Sequence, residues 1–472
     1  MTMAKVKSLS TKSKVGYCSG IIAESLMYNL FFTYYLFFLT DVVKLPSILA
    51  GTIAFVSVVW DAVADPIIGA LSDKDGADKR KFMFRAAFPM AILIVACFTD
   101  IGMFGNVGKF IYYLAFTMLF WLAYTVYTIP YYAVVAEITP DYDERTDIRG
   151  LSALINAAGI FTGNALPAIL PTALVGLGLS ARMGWLGTAL ALSLLSITFA
   201  MIAVRSLRNV VLKKADAVST GEKRTAKAIF RSFIEVLKIK PFKWFVLFVF
   251  TFLITSSMIQ SNFMYLIEKC LGMYSKTQKD NMMVIVIVVL VATIALLTPI
   301  VTKVAEIKDR RFATILFFSI SFAGLVAGKI IHINSLPMLI YDAFFMAVGA
   351  ACFWTVFYSM AYDLVEVDEF VSGQRREGII TALPQFFQKF GSAVGMWLVS
   401  LVLKLSGYDT GTATAGVIEN SSTIIPAAFL AISIFGVIMF PVTKKRFHKL
   451  QEVLAKKNLG EEYDTTGLEK MI

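Results

Sequence analysis

The sequence predicts an all-α membrane protein whose twelve transmembrane helices form two six-helix bundles, and three observations predict it. The first is composition: of 472 residues, 57% are hydrophobic and only 16% charged, with a mean hydropathy of +0.71. A soluble chain of this length needs far more charge to cover its surface. The second is periodic: apolar stretches long enough to cross a bilayer recur twelve times between polar breaks. The third is the placement of charge. The N-terminal segment, every second loop and the C-terminal tail hold 35 of the 44 Lys and Arg residues; the alternate loops hold eight, and Lys389 lies inside a span.

Taken in order, the first six spans cover about 16–43, 46–72, 84–105, 109–137, 149–177 and 184–205. Lys44 separates the first two, and Asp73 with Lys79, Arg80 and Lys81 the second and third. Lys109, then Asp143-Glu144-Arg145, then Arg182 mark the remaining breaks. A polar interval follows, with Lys213, Lys214, Lys223, Arg224, Lys227 and Arg231; its later part, Ala226 to Ile239, reads as an amphipathic helix on the membrane surface. The last six spans cover about 242–268, 282–304, 312–333, 337–364, 377–405 and 422–442, and Phe353-Trp354 faintly echoes Phe120-Trp121 of the first half. The domains are therefore 1–205, a central loop 206–241, 242–442 and a tail 443–472. The basic loops place both termini in the cytoplasm of a cell inner (plasma) membrane.

This distribution also disposes of the net charge of +11 as a nucleic-acid footprint, because the basic residues sit in short loops and tails. Cys18, Cys97, Cys270 and Cys352 show no metal-ligand spacing, and His332 and His448 fall near helix ends without clustering. With no nucleotide loop, metal cluster or sizeable soluble domain, an enzyme is not expected, nor a cofactor; a channel would need a filter-like repeat. The N-terminus is a polar, Lys-containing segment before a span too long for a signal peptide.

The chemistry gathers at Val59-Trp60-Asp61-Ala62-Val63-Ala64-Asp65-Pro66. Asp61 and Asp65 are four residues apart and stack on one helix face. Two carboxylates at membrane depth repel unless something cationic visits them, so the pair is expected to bind a coupling cation, Na+ or H+. Lys389, mid-span in the second half, needs a carboxylate partner, which Asp61 and Asp65 could supply. Glu24 and Asp342 are single acids that either pair with a neighbouring helix or face a cavity. Glu24, Thr128, Gln385 and Lys389 are expected to line a polar solute cavity.

Several segments resemble the glycoside–pentoside–hexuronide:cation symporters, the melibiose-permease-like branch of the major facilitator superfamily. They are Tyr34 to Val43, Trp60-Asp61-Ala62 to Asp65-Pro66, Gly69 to Asp73, Tyr124-Thr125 with Ile129-Pro130-Tyr131, Asp363 to Glu366 with Gly373, Arg375, Glu377 and Gly378, and Lys389 to Ser392. The resemblance implies a major facilitator fold that couples downhill sodium or proton influx to solute uptake. It makes Asp61 and Asp65 the cation-site carboxylates (the Na+ ligands if sodium is the ion), Thr125 a hydroxyl ligand, and Tyr124 and Trp354 aromatic faces for a sugar. It also assigns Asp73, Arg145, Arg149, Asp363, Glu366 and Arg375 to an inner gate closed by ion pairs of Arg145 with Asp363 or Glu366.

The chain departs from the galactoside pattern at Glu24-Ser25, Ala64, Thr128 and Ala153, which removes most of the galactoside-recognition set and leaves a cation site poorer in oxygens. The expected solute is a glycoside, hexuronide or related small molecule carried by a monomer through alternating access. The alternative is a lipid, lysolipid or non-sugar organic solute in the same fold.

Overall fold

The computed structural model describes residues 9–72, 78–102, 104–139, 142–208, 210, 234–271, 275–373, 377–459 and 462–469, and among them no strand occurs. The helices are α1 (Thr11–Cys18), α2 (Gly20–Asn29), α3 (Ser47–Ser72), α4 (Lys79–Cys97), α5 (Asn106–Ala133), α6 (Val135–Ile138), α7 (Tyr142–Gly176) and α8 (Ala181–Ser206). Then come α9 (Lys240–Cys270), α10 (Lys276–Ile307), α11 (Arg310–Ile331), α12 (Leu336–Ser372), α13 (Glu377–Leu405), α14 (Ala415–Ser422), α15 (Ile424–Met439) and α16 (Lys444–Leu459). Among the described residues ten helices are long and apolar enough to cross a membrane.

The helical membrane architecture is thus as expected, while the count of twelve is not reached by helix length and apolarity alone. The predicted span 16–43 is not one helix: it breaks at Ser19 and widens into π turns at Leu30–Tyr35 and Phe38–Val42. Helix α4 opens on Lys79-Arg80-Lys81 and carries Arg85, too much charge for an apolar window. Two expected loops are helical. The Asp143-Glu144-Arg145 stretch forms the start of α7, and Asp363 and Glu366 ride on α12, which runs on to Ser372. Charge ends a membrane span without ending a helix; α12 stops where Gly373 adopts φ +69°. The tail contains α16. Most of the expected surface helix at 226–239 lies outside the described residues; 234–237 is helical.

Contacts divide the chain into two compact units: one gathers Met1–Thr220, Met273–Ile287 and Leu403–Thr412, the other Gly221–Gly272, Val288–Val402 and Ala413–Ile472. The start of α10 and the segment after α13 fall in the first unit. That segment has a local role there. The Asp409 carboxylate accepts from the Ser47 amide (3.0 and 3.2 Å) and hydroxyl (3.0 Å), capping the N-terminus of α3, while Tyr408 donates to Asp41 at 2.9 Å.

Each unit uses the same close-packing device. On α7, a Cβ at Gly159 would lie 2.9 Å from Ser25 Cβ, and one at Gly163 3.0 Å from the Ser25 carbonyl and 3.1 Å from Leu26 Cα. On α13, a Cβ at Gly391 would lie 2.7 Å from the Phe250 carbonyl, and one at Gly395 2.7 Å from the Ile254 carbonyl. Two glycines four residues apart therefore let α7 approach α2, and α13 approach α9, with backbones in contact. The same glycine spacing thus recurs in both units, whereas the echoing Phe-Trp pairs differ in setting: Trp121 is buried (1%) and Trp354 is 42% exposed. Aromatic side chains fill the rest: Phe31 against Phe120 and Trp121 in one unit, and Phe252 stacked on Phe353 at 4.3 Å and Phe318 at 4.9 Å in the other.

Candidate functional site

Helix α3 sorts its residues by face: Val63, Pro66 and Ile67 are exposed, whereas Asp61 (0% exposed), Ala62, Ala64 and Ile68 are buried and Asp65 is half-buried. The acidic pair therefore faces protein rather than lipid. Helix α5 meets it with Thr125, itself fully buried, whose hydroxyl donates to Asp61 Oδ1 and lies 3.2 Å from Asp65 Oδ1. One hydroxyl thus spans both carboxylates and holds them around a common point. Pro66 adds to this, because its ring nitrogen offers no N–H to the Ala62 carbonyl one turn earlier. Two carboxylates, a hydroxyl and a carbonyl without its usual helical donor are hard oxygens, the kind that bind a small cation or share a proton. No group of three or more His, Cys, Asp or Glu side chains suited to a metal ion occurs among the described residues.

A polar network continues from this point. Tyr124, adjacent to Thr125, donates to Glu24 Oε1 at 3.1 Å, and Tyr132 donates to Glu24 Oε2 at 2.6 Å. Thr128, one turn after Tyr124, is buried. Beyond Glu24, Ser25 bonds Asn156; Asn164 accepts from Thr33 (2.7 Å) and donates to Asn29 (2.9 Å), and its carbonyl accepts from Tyr34 (2.6 Å). Tyr132, Asn156 and Asn164 were not singled out from sequence. The available signal was an amide side chain inside an apolar span, which needs a polar partner wherever it is buried.

The structure places Glu24, Asp61, Asp65, Tyr124, Thr125 and Thr128 in the first unit, with Asp61, Tyr124, Thr125 and Thr128 buried and Glu24 and Asp65 half-buried. The remaining expected solute residues belong to the second unit. Trp354 sits on α12 with its ring edge-on to Phe353 at 5.2 Å, and Gln385 and Lys389 lie one turn apart on α13, Gln385 exposed and Lys389 half-buried. Phe386 and Phe390 flank Lys389 and stack at 6.1 Å, with Phe250 5.4 Å from Phe390.

Of the expected gate residues, Asp73 and Arg375 lie outside the described residues, as does the Arg145 side chain. Arg149 is exposed on α7. Asp363 forms its ion pair within its own unit, with Arg310 of α11, and Glu366 accepts from Gln451 of α16 at 3.2 Å. A further acid unites the first unit's end: Glu144 accepts from the Leu9 amide (2.8 Å) and pairs with Lys14 (3.0 Å). Burial alone would raise this carboxyl, but bonds from Thr139, Lys14 and Leu9 outweigh it and hold it below the usual glutamate value.

Residues 16–444 match the family model described as "MFS/sugar transport protein". The chain belongs to that family. The resemblance to glycoside and hexuronide cation symporters is supported by relatives that are named symporters, a glucuronide carrier homolog and an isoprimeverose transporter, and the relatives also include a sodium-dependent lysophosphatidylcholine symporter of Danio rerio, 23% identical over 90% of this chain and 85% of its own. The "Uncharacterized symporter YnaJ" of Bacillus subtilis (strain 168) is 25% identical over 469 residues, covering 97% of each chain. The "Glucuronide carrier protein homolog" of Escherichia coli (strain K12) is 23% identical over 459 residues, covering 94% of this chain and 95% of its own. A solved D-xylose-proton symporter superposes with a TM-score of 0.63 at 11% identity, over 91% of this chain and 96% of that one, which shows a shared major facilitator fold. This member of the family is therefore a multi-span membrane transporter.

Proposed function

We propose that the chain is a symporter in which a Na+ ion or proton at Asp61, Asp65 and Thr125 drives uptake of a small glycoside, hexuronide or related solute by alternating access. The observation that carries the reading is the Thr125 hydroxyl spanning two buried carboxylates one turn apart. Two carboxylates held this close repel each other; a cation between them offsets this and orders the neighbouring Glu24–Tyr124–Tyr132 network for solute. Tyr124 abuts Thr125 in sequence and bonds Glu24, so the cation point and the polar groups offered to a solute share one helix. That linkage is the physical route by which ion and solute affinities depend on each other.

The acid and tyrosine hydroxyls suit a polyhydroxylated solute better than an acyl chain, which supports the glycoside reading over the lysolipid one. Trp354, Gln385 and Lys389 are assigned to solute recognition from the second unit. Both termini are assigned to the cytoplasm of the inner membrane on the placement of Lys and Arg.

The test is uptake into proteoliposomes with Na+ and pH gradients imposed separately, across glycosides, hexuronides, pentosides and lysolipids. Accumulation against a concentration gradient under one of the two ion gradients supports the proposal. Uptake that merely equilibrates under both refutes it.

A further inference from the structure

The second unit holds a buried acid that the transport reading does not use. Asp342, in the second turn of α12, is 1% exposed, and neither of its carboxylate oxygens has a hydrogen-bond partner among the described residues. Its Oδ1 points at the backbone of α11: a Cβ built on Gly328 would lie 4.0 Å from it, 3.8 Å from Thr423 Cγ2 and 3.6 Å from the Tyr341 ring. The residue after Gly328 is Lys329, but that ammonium is spent elsewhere.

Glu419 of α14, also buried at 4%, takes it: Lys329 Nζ lies 2.8 Å from Glu419 Oε2. The Ile333 amide donates to Glu419 Oε1 at 2.7 Å, and His332 Nδ1 lies 3.2 Å from Oε2. His332 is drawn into a positive φ of +65°, uncommon for a non-glycine residue, and its side chain is 65% exposed. Two buried carboxyls of the second unit therefore sit under opposite conditions. Glu419 has an ammonium, an amide and an imidazole; Asp342 has none of these among the described residues. A carboxylate stranded like Asp342 costs several kcal/mol, whereas its neutral acid costs far less. When environments separate two acids in this way, one holds the charge and the other the proton.

We propose that Asp342 is a proton-binding site of the second unit. The Lys329 ammonium offsets the Glu419 charge. A metal cation does not suit the place, since the ammonium already occupies the charged carboxylate. Among the described residues, Tyr341 on the same helix is the titratable neighbour of Asp342, Cys270 of α9, whose thiol donates to the Ala415 carbonyl, lies on the Glu419 side, and α15 contributes none. The site lies at the end of the second unit opposite the basic loops. It is independent of Asp61 and Asp65, and its test needs no solute.

The experiment is infrared spectroscopy of the full-length protein in lipid at neutral pH, before and after transfer to D2O. The wild type is expected to show a protonated-carboxyl C=O band that Asp342→Asn removes, Asp342→Glu displaces and Glu419→Gln retains. A wild-type spectrum whose acid band is unaltered in both Asp342 variants overturns the proposal. If Asp342→Asn does not fold, the displacement in Asp342→Glu decides.

Discussion

Asp61→Asn is the most direct probe of the cation site. The amide keeps the shape of the side chain and an oxygen that can still accept from Thr125, so the change is one of charge in an unchanged frame. For Na+ the mutual repulsion of Asp61 and Asp65 is present with and without the ion, and so cancels from the binding free energy; what the substitution removes is one attraction. At about 4 Å and an effective dielectric of about 20, a unit charge pair is worth about 4 kcal/mol. This corresponds to about three decades in affinity, at about 1.4 kcal/mol per decade. The half-saturating cation concentration for uptake into proteoliposomes should therefore rise about a thousandfold, and gradient-driven accumulation should vanish. Thermal stability without the coupling ion should hold or rise, because the repulsion is gone. A variant that accumulates solute with the wild-type cation dependence would refute the reasoning, because Asp61 would then not be a ligand.

Three further perturbations test other parts of the structure. Glu24→Gln and Tyr132→Phe should each raise KM for solute severalfold while leaving the half-saturating cation concentration near wild type, measured by initial rates under a fixed ion gradient; a shift confined to the cation term would move Glu24 into the cation site. The Glu144 carboxyl is held below its ordinary value, so its contribution to stability is complete above the unfolded glutamate range of about 4.3 and is lost as pH falls through the lower folded value. Wild type should accordingly lose protection of the segment before α2 from proteolysis on acidification, and Glu144→Gln should show that susceptibility already at neutral pH. Gly163→Ala and Gly391→Ala should each cost about 1–3 kcal/mol by forcing helices apart. The loss in thermal stability should be greater at Gly391, where the new methyl would meet a carbonyl at 2.7 Å rather than 3.0 Å.

Sequence alone determined that this chain is helical and lies in a membrane, because hydropathy and charge placement are sums over many residues and survive errors at any one. It also determined the acidic pair, since four-residue spacing on a helix sets a shared face before any neighbour is known. The resemblance offers Thr125 only as a hydroxyl ligand; that it joins Asp61 to Asp65 is decided by the packing of α5 on α3. Boundaries were less legible: the charges of Asp143 to Arg145 and of Asp363 and Glu366 mark where the bilayer ends, whereas the helices continue through them on backbone hydrogen bonds. The Glu24–Tyr132, Asn164 and Glu419–Lys329–His332 groupings were out of reach for another reason. Each joins residues between about 90 and 135 positions apart, with no periodic trace in the chain. A buried polar atom must find a partner, but which one it finds is decided by the close helix approaches that glycines such as Gly159 and Gly163 allow, and by Asp342 finding none among the described residues.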